Sequence, residues 1–295
     1  MRGFVTLAVG DEKYYKLAAN LLKSYKRSTK KPIPFAIIAD RTNKYTKLFD
    51  KTVLLREANR SYMDKLTMLK TPPFDENIFI DADCLVYKDI NKYWDYFPKN
   101  GVTCFGKALP LTSHEGWFDI TDIGEYKEKI GFIPQMHGGI IFFKKDKLTN
   151  TIYRTALAIA KDYKHYRFKY FENPADEPII ALSMAVNGSK PIELPEGERD
   201  RAFLFYPTAD SVTMDITSGK LSYTNKRGDV INNVLLLHWQ NVNTETPKYK
   251  IEVLKLEKNL FFTFSLQSFY YYISHYVRCV FLRFWNGIKR RIIRR

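Results

Sequence analysis

The chain has 295 residues, 45% of them apolar, which suffices for one large domain or two small ones with a real core and excludes wholesale disorder. Lys and Arg number 47 against 32 Asp and Glu, a formal net charge of +15, so the natural partners are anionic: a nucleotide, a nucleic acid or an anionic membrane. Residues 258–295 hold eight of those cations and no acid; about half the imbalance lies there, and the remaining body is too mildly basic for a whole-protein nucleic-acid binder.

Residues 4–9 (FVTLAV) form an apolar run that predicts a buried strand, broken by Gly10 and Asp11. A helix follows, with Asp11 as N-cap and one buried face at Tyr14, Leu17, Ala18, Leu21, Leu22 and Tyr25. A Pro-marked segment leads into a strand ending at Asp40, and KTVLLRE gives a third strand. A short helix is capped by Ser61 and stopped by Pro72 and Pro73, after which NIFI runs into Asp81. This alternation predicts a mostly parallel α/β sheet, in which ligands bind beyond the carboxyl ends of the strands. Gly10, Asp11, Asp40, Asp81 and Asp83 would then share one edge. Residues 107–136 read as a long loop with some helix, and HGGIIFFKK as a Gly-Gly turn opening a strand. Helices are expected over 149–165 and from Asp176 onward. Short strands are expected within 190–232, and NVLLLHWQ reads as a strand ending at His238.

In an extended chain, residues i and i+2 face the same way, so Asp81 and Asp83 would aim their carboxylates together with Ala82 turned aside. Paired carboxylates at a strand end suit a hard divalent cation, Mn²⁺ or Mg²⁺, whose remaining positions take water and phosphate oxygens. Two acids capping a turn is the plainer reading of the same residues. His238, also at a strand end, offers a third ligand that suits Mn²⁺ better than Mg²⁺.

Together these segments resemble the DxD-containing, nucleotide-diphosphosugar glycosyltransferases of the GT-A fold, and their glycogenin-like, family-eight group in particular. FIDADCLVYKDI resembles the DxD region, and VTLAVGDEKYYKLAANLLKSY the first strand and helix. HGGIIFFKKDKL with ADEPIIALSMA resembles the sugar-binding strand and acidic helix start, and LLHWQNVNTETPKYK the late His motif. The likeness runs in order over residues 1–255. It implies a Rossmann-like, mostly parallel sheet flanked by helices, and hexosyltransferase-like chemistry with a UDP-linked sugar as the expected donor. Asp81, Asp83 and His238 would hold the metal. Thr6, Leu7, Ala8 and Gly10 would line the nucleoside pocket, and Asp81 would also touch the ribose. Asp40 would contact the base or ribose, or cap its strand. Lys65 would reach the diphosphate or the donor sugar, and Lys248 the diphosphate. Gly138 and Gly139 would let backbone approach a sugar, or make a tight turn. Asp176 and Glu177 would bind donor hydroxyls or stabilise the reacting carbon. The chain departs from the His motif at Asn241 and in the order Pro247-Lys248-Tyr249. An inverting mechanism would need a carboxylate base, for which Glu115, Asp119 and Asp122 are candidates.

A metal-dependent nucleotidyltransferase on a similar sheet is the alternative, but no phosphate loop of the form GxxxxGK[ST] occurs. A non-enzymatic nucleic-acid or membrane binder is the other, and no RNP-type strand or zinc finger supports nucleic acid. Cys84, Cys104 and Cys279 form no CxxC pair, which fits a reducing compartment. The N-terminal stretch reaches acidic residues without a long apolar run, so no signal peptide is expected. We divide the chain into a transferase domain, 1–257, and a tail, 258–295, with eleven aromatics and a polybasic end. Such a composition predicts a helical segment lying on an anionic membrane surface. The whole then reads as a peripheral enzyme on the cytoplasmic face, acting on a glycan or glycolipid acceptor.

Overall fold

The computed structural model describes residues 1–170, 172–206, 212–257, 268–271 and 273–278. Its central sheet begins with β1 (Arg2–Ala8), followed by α1 (Glu12–Ser28), β2 (Phe35–Ala39) and β3 (Lys51–Leu54). A 3₁₀ turn (Tyr62–Leu66) and the short α2 (Thr67–Lys70) lead to β4 (Glu76–Ile80). Next come β5 (Cys84–Val86), β6 (Val102–Leu109), β7 (Ile133–Lys144), α3 (Lys147–Lys161) and α4 (Asp176–Val186). The six-stranded order is β3-β2-β1-β4-β7-β6. The first four strands are parallel, and β7 runs antiparallel between β4 and β6. Every residue of β2 (FAIIA) is buried, as a parallel strand covered on both faces requires.

Alternate side chains feed two cores. Phe4, Phe35, Ile37, Ile78 and Phe142 pack with the buried side of α1. Val5, Ala36, Ile38, Phe79 and Phe143 pack with residues of α3 and α4 such as Ile152 and Ile180. Asp11 caps α1 by accepting from the Lys13 amide at 2.8 Å. The buried face of α1 carries Tyr15, fully buried, where the apolar spacing had suggested Tyr14; Tyr14 is 38% exposed and turns elsewhere. Ser61 and Asp64 form a reciprocal capping box at the 3₁₀ turn.

The second half departs from expectation in two places. Residues 107–136 are strand at both ends, β6 running to Leu109 and β7 starting at Ile133, because the strands approach very closely there. A Cβ on Gly106 would lie 2.1 Å from the Gln135 carbonyl oxygen. Gly138 and Gly139 therefore sit inside β7 and do not form a turn. Residues 190–232 add α5 (Glu196–Ala202), whose charge-dense sequence buries only Ala202 and gives no periodic signal.

Two small sheets complete the described body. β8 (Leu204–Phe205) and β12 (Leu236–His238) join β5 in the order β5-β12-β8. β9 (Thr213–Asp215), β10 (Lys220–Thr224) and β11 (Val230–Ile231) form a meander. Glu252 of α6 (Pro247–Glu257) ties that meander down, accepting from the Ile216 amide at 2.7 Å and the Tyr87 hydroxyl at 3.1 Å. Of the tail, residues 268–271 and 273–278 are helical and expose Phe269, Tyr270, Ile273, Tyr276 and Val277; the rest of the tail prediction lies outside the described residues. No helix among the described residues is long and apolar enough to cross a membrane.

Candidate active site

A cleft of about 650 Å³ opens beyond the carboxyl ends of β1 and β4, where an open α/β sheet places its ligands. Its floor is the end of β4. The chain does not continue extended there; residues 81–83 turn, with the Cys84 amide donating to the Asp81 carbonyl at 3.1 Å. The two carboxylates are thus separated and given different partners. Asp81 Oδ1 lies 3.0 Å from Lys65 Nζ. Asp83 Oδ1 lies 3.1 Å from His238 Nε2, and its Oδ2 accepts from the Asn241 amide at 2.6 Å. His238 Nε2 also stands 3.9 Å from Asp81 Oδ2, so the imidazole is bracketed by both acids.

His238 is delivered by the small sheet, where β12 sets it directly opposite Cys84. Burial alone would lower its pKa, but Asp83 outweighs burial and holds the imidazole above its ordinary value. Burial likewise pushes Asp83 up, and His238 with the Asn241 amide bring it below the usual carboxylate range. Asp81, more deeply desolvated, is raised in spite of Lys65 and His238.

Lys65 comes from the 3₁₀ turn and is 8% exposed. It ion-pairs with Asp176 Oδ2 at 2.7 Å and with Asp81, and donates to the Gly138 carbonyl at 3.3 Å. Burial disfavours its charge, yet Asp176 and Asp81 outweigh that and raise its pKa. Asp176 and Glu177 open α4. Glu177 Oε1 accepts from the Gly138 amide at 2.6 Å. Burial first, and the charge of Asp176 second, push its carboxyl up to about 7.

Both β7 glycines are explained by these neighbours. A Cβ on Gly138 would meet Glu177 Cγ at 2.7 Å, and one on Gly139 would meet His238 Nδ1 at 2.9 Å. Their bareness makes room for the site's own side chains.

The remaining predicted residues are placed differently. Leu7 lines the cleft, whereas Thr6 and Ala8 are buried within β1. Gly10, at φ +77°, donates to Asp40 Oδ2 at 3.1 Å, and Asp40 also accepts from the Tyr15 hydroxyl. Asp40 thereby ties the ends of β1 and β2 together, and neither it nor Gly10 is among the residues lining the cleft. Lys248, in the first turn of α6, does not line it either. Nor do Glu115, Asp119 and Asp122; Asp119 is held by Lys169 at 2.6 Å.

Sequence reasoning missed Tyr14, Arg60, His137, Gln240 and Val242, all of which line the cleft, and the Asn241 amide on Asp83. His137 packs on Phe205 at a tilt, ring centroids 3.8 Å apart, and accepts from the Gly139 amide at Nδ1, 3.2 Å away. Its place directly before the paired glycines was the available signal.

The donor set fits a divalent cation. Asp83 and Asp81 approach His238 Nε2 at 3.1 and 3.9 Å, and the cleft carries four acids (Asp81, Asp83, Asp176, Glu177) against Lys65 and Arg60. Cys84 lies within 4.8 Å of the ligand atoms of Asp83 and His238, but burial holds its thiol well above its ordinary pKa.

A mainly parallel sheet, extended by antiparallel strands, flanked by helices and opening a cleft beyond an acidic strand end, is the GT-A glycosyltransferase fold. Among solved structures, the apo form of the bifunctional glycosyltransferase WbbM matches at 14% identity and a TM-score of 0.50, over 90% of this chain and 51% of WbbM. The galactosyltransferase LgtC, in complex with donor and acceptor sugar analogs, matches at 14% identity and a TM-score of 0.46, over 81% of this chain and 87% of LgtC. GlyE of Streptococcus pneumoniae matches at 13% identity and a TM-score of 0.42, over 67% of this chain and 46% of the other. No protein-family pattern matches the chain, and no curated protein sequence does.

Proposed function

We propose that this protein is a metal-dependent glycosyltransferase that moves a sugar from a nucleotide diphosphosugar, a UDP-sugar by preference, to a glycan or lipid-linked glycan. The observation that carries the reading is the convergence of Asp81, Asp83 and His238 beside Lys65, Asp176 and Glu177 in one cleft. Asp81, Asp83 and His238 would hold Mn²⁺ or Mg²⁺, which when bound acts as a Lewis acid for the departing diphosphate. Lys65, already charged and fixed by two carboxylates, supplies a second positive charge where negative charge builds. Asp176 and Glu177, at the start of α4, face the same space and would orient donor hydroxyls. Donor turnover is tested with a panel of nucleotide sugars, with and without Mn²⁺, against Asp83→Ala. If no sugar nucleotide binds in a metal-dependent way, the reading fails.

Membrane association through 258–295, on the cytoplasmic face, belongs to the same proposal. It is supported by the exposed Phe269, Tyr270, Ile273 and Tyr276 and by the eight cations of that segment.

A further inference from the structure

A second concave surface lies away from the acidic cluster. A groove of about 750 Å³ is bordered by Tyr163, Lys164, Tyr166, Arg167, Phe168, Tyr170 and Glu172. Its base is firm: Tyr163, Tyr166 and Phe168 are buried, and Phe168 packs on the other two rings at 5.0 and 5.8 Å. Its rim is not economical. Tyr170 is 84% exposed and holds φ +67°, a left-handed backbone that a bulky residue adopts at a cost. That conformation is enforced by its neighbour. The Lys169 amide donates to the Trp117 carbonyl at 2.7 Å, and Lys169 Nζ donates to the His114 carbonyl and to Asp119 at 2.7 and 2.6 Å. Trp117 meets Tyr170 in a T-shaped contact, ring centroids 6.2 Å apart. Beside this ring, Lys164 and Arg167 are exposed and have no ion-pair partner among the described residues.

The groove is joined to the cleft at two points. Trp117 Nε1 donates to the Met136 carbonyl at 3.2 Å, and Met136 immediately precedes His137, which lines the cleft. The Ala175 amide reaches the Tyr163 hydroxyl, and Ala175 lines the cleft as well.

We propose that this groove is the acceptor-side subsite for an anionic glycan, an inference that rests on the transferase reading above. A sugar ring has an apolar face that packs on an exposed tyrosine, while a carboxylate or phosphate carried by the chain pairs with Arg167 and Lys164. Two cations, with Glu172 on the same border, suit a polymer bearing a sparse charge. They do not suit a nucleic acid or an anionic bilayer, whose denser charge calls for a basic patch.

The test uses the full chain and calorimetric titration with three probes of equal length: a uronic-acid oligosaccharide, a phosphodiester-linked sugar oligomer and a neutral oligosaccharide. One of the two anionic probes is expected to bind at least about tenfold more tightly than the neutral one, and which one identifies the group recognised. Tyr170→Ala and the pair Lys164→Glu/Arg167→Glu, all at exposed positions, are expected to weaken that binding at least about tenfold while leaving Mn²⁺-dependent UDP binding in the cleft unchanged. Equal binding of all three probes overturns the subsite. So does the absence of binding by any of them, or variants that bind as the parent does. It is overturned too if the same variants abolish binding to phosphatidylserine vesicles and not to the oligomers. A parent protein that binds an anionic oligomer but no sugar nucleotide overturns the transferase reading and, with it, the acceptor role of the groove.

Discussion

Lys65 Nζ stands 2.7 Å from Asp176 Oδ2, joining the turn before α2 to the first residue of α4 beneath the cleft. The lysine also holds Asp81, so a single cation neutralises parts of two acidic elements. Lys65→Met is expected to lower unfolding free energy by about 3–5 kcal/mol, because it strands the buried Asp176 carboxylate and the partly buried Asp81. Urea unfolding measures it. Lys65→Met combined with Asp176→Asn should lose less than the sum of the two single changes.

Asp83→Ala and His238→Ala each remove one of the three groups proposed to hold the cation. UDP affinity in the presence of Mn²⁺ should fall by at least about tenfold in either variant, while UDP binding in EDTA stays as weak as in the parent. Equal affinities with and without the metal in the parent would sink the metal assignment.

Two glycine substitutions should separate folding from chemistry. Gly106→Ala drives a Cβ against the Gln135 backbone oxygen, which cannot swing away, and should cost roughly 1–3 kcal/mol of stability or more. Gly138→Ala meets only side-chain atoms, Glu177 at 2.7 Å and Asp176 Oδ2 at 3.4 Å. It should leave the melting temperature nearly unchanged and cut donor turnover by about 10²-fold, the penalty for displacing a positioned group.

Glu177 gives a pH signature in the metal-free protein. Its carboxyl titrates near 7 in the folded chain, above the ordinary 4.5. Between those values the folded state binds more protons than the unfolded one, so this residue's contribution makes stability fall as pH rises through the interval. Glu177→Gln should remove that slope, and the variant should be the more stable protein above pH 7 by about 1–3 kcal/mol. Chemical denaturation at a series of pH values reads the difference.

Membrane association is read by co-sedimentation with phosphatidylserine-containing liposomes. The full chain should pellet and a version ending at Glu257 should stay in the supernatant; equal pelleting would remove the anchor.

Much of the architecture was legible because the first half obeys local rules. Asp11 and Ser61 cap where capping chemistry puts them, and FAIIA reads as a doubly covered strand. Asp81, Asp83, His238, Asp176 and Glu177 were visible at element ends and Lys65 through the family resemblance, and the structure brings all six to one cleft. The remainder depended on contacts between distant segments. Gly138 and Gly139 looked like a turn because only Glu177 and His238, far along the chain, explain why a strand would carry them. The 81–83 turn escaped the i, i+2 rule because the partners that fix the two carboxylates, Lys65 on Asp81 and His238 with the Asn241 amide on Asp83, come from distant segments. Asp40 read equally as a base or ribose contact and as a strand cap, and in the structure it fastens Gly10 and Tyr15. Asn241 acts through its main-chain amide, which no side-chain pattern reports.

The pairing of β12 with β5 has a consequence for biosynthesis. Asp83 emerges from the ribosome early, and the strand carrying its partner histidine emerges only near the end of the described body. A nascent chain can therefore assemble the four parallel strands and display Asp81 and Asp83 long before His238 arrives to complete the proposed cation site. On the proposed reading, catalytic competence would wait for β12, the latest strand among the described residues, and shorter nascent chains would be inert.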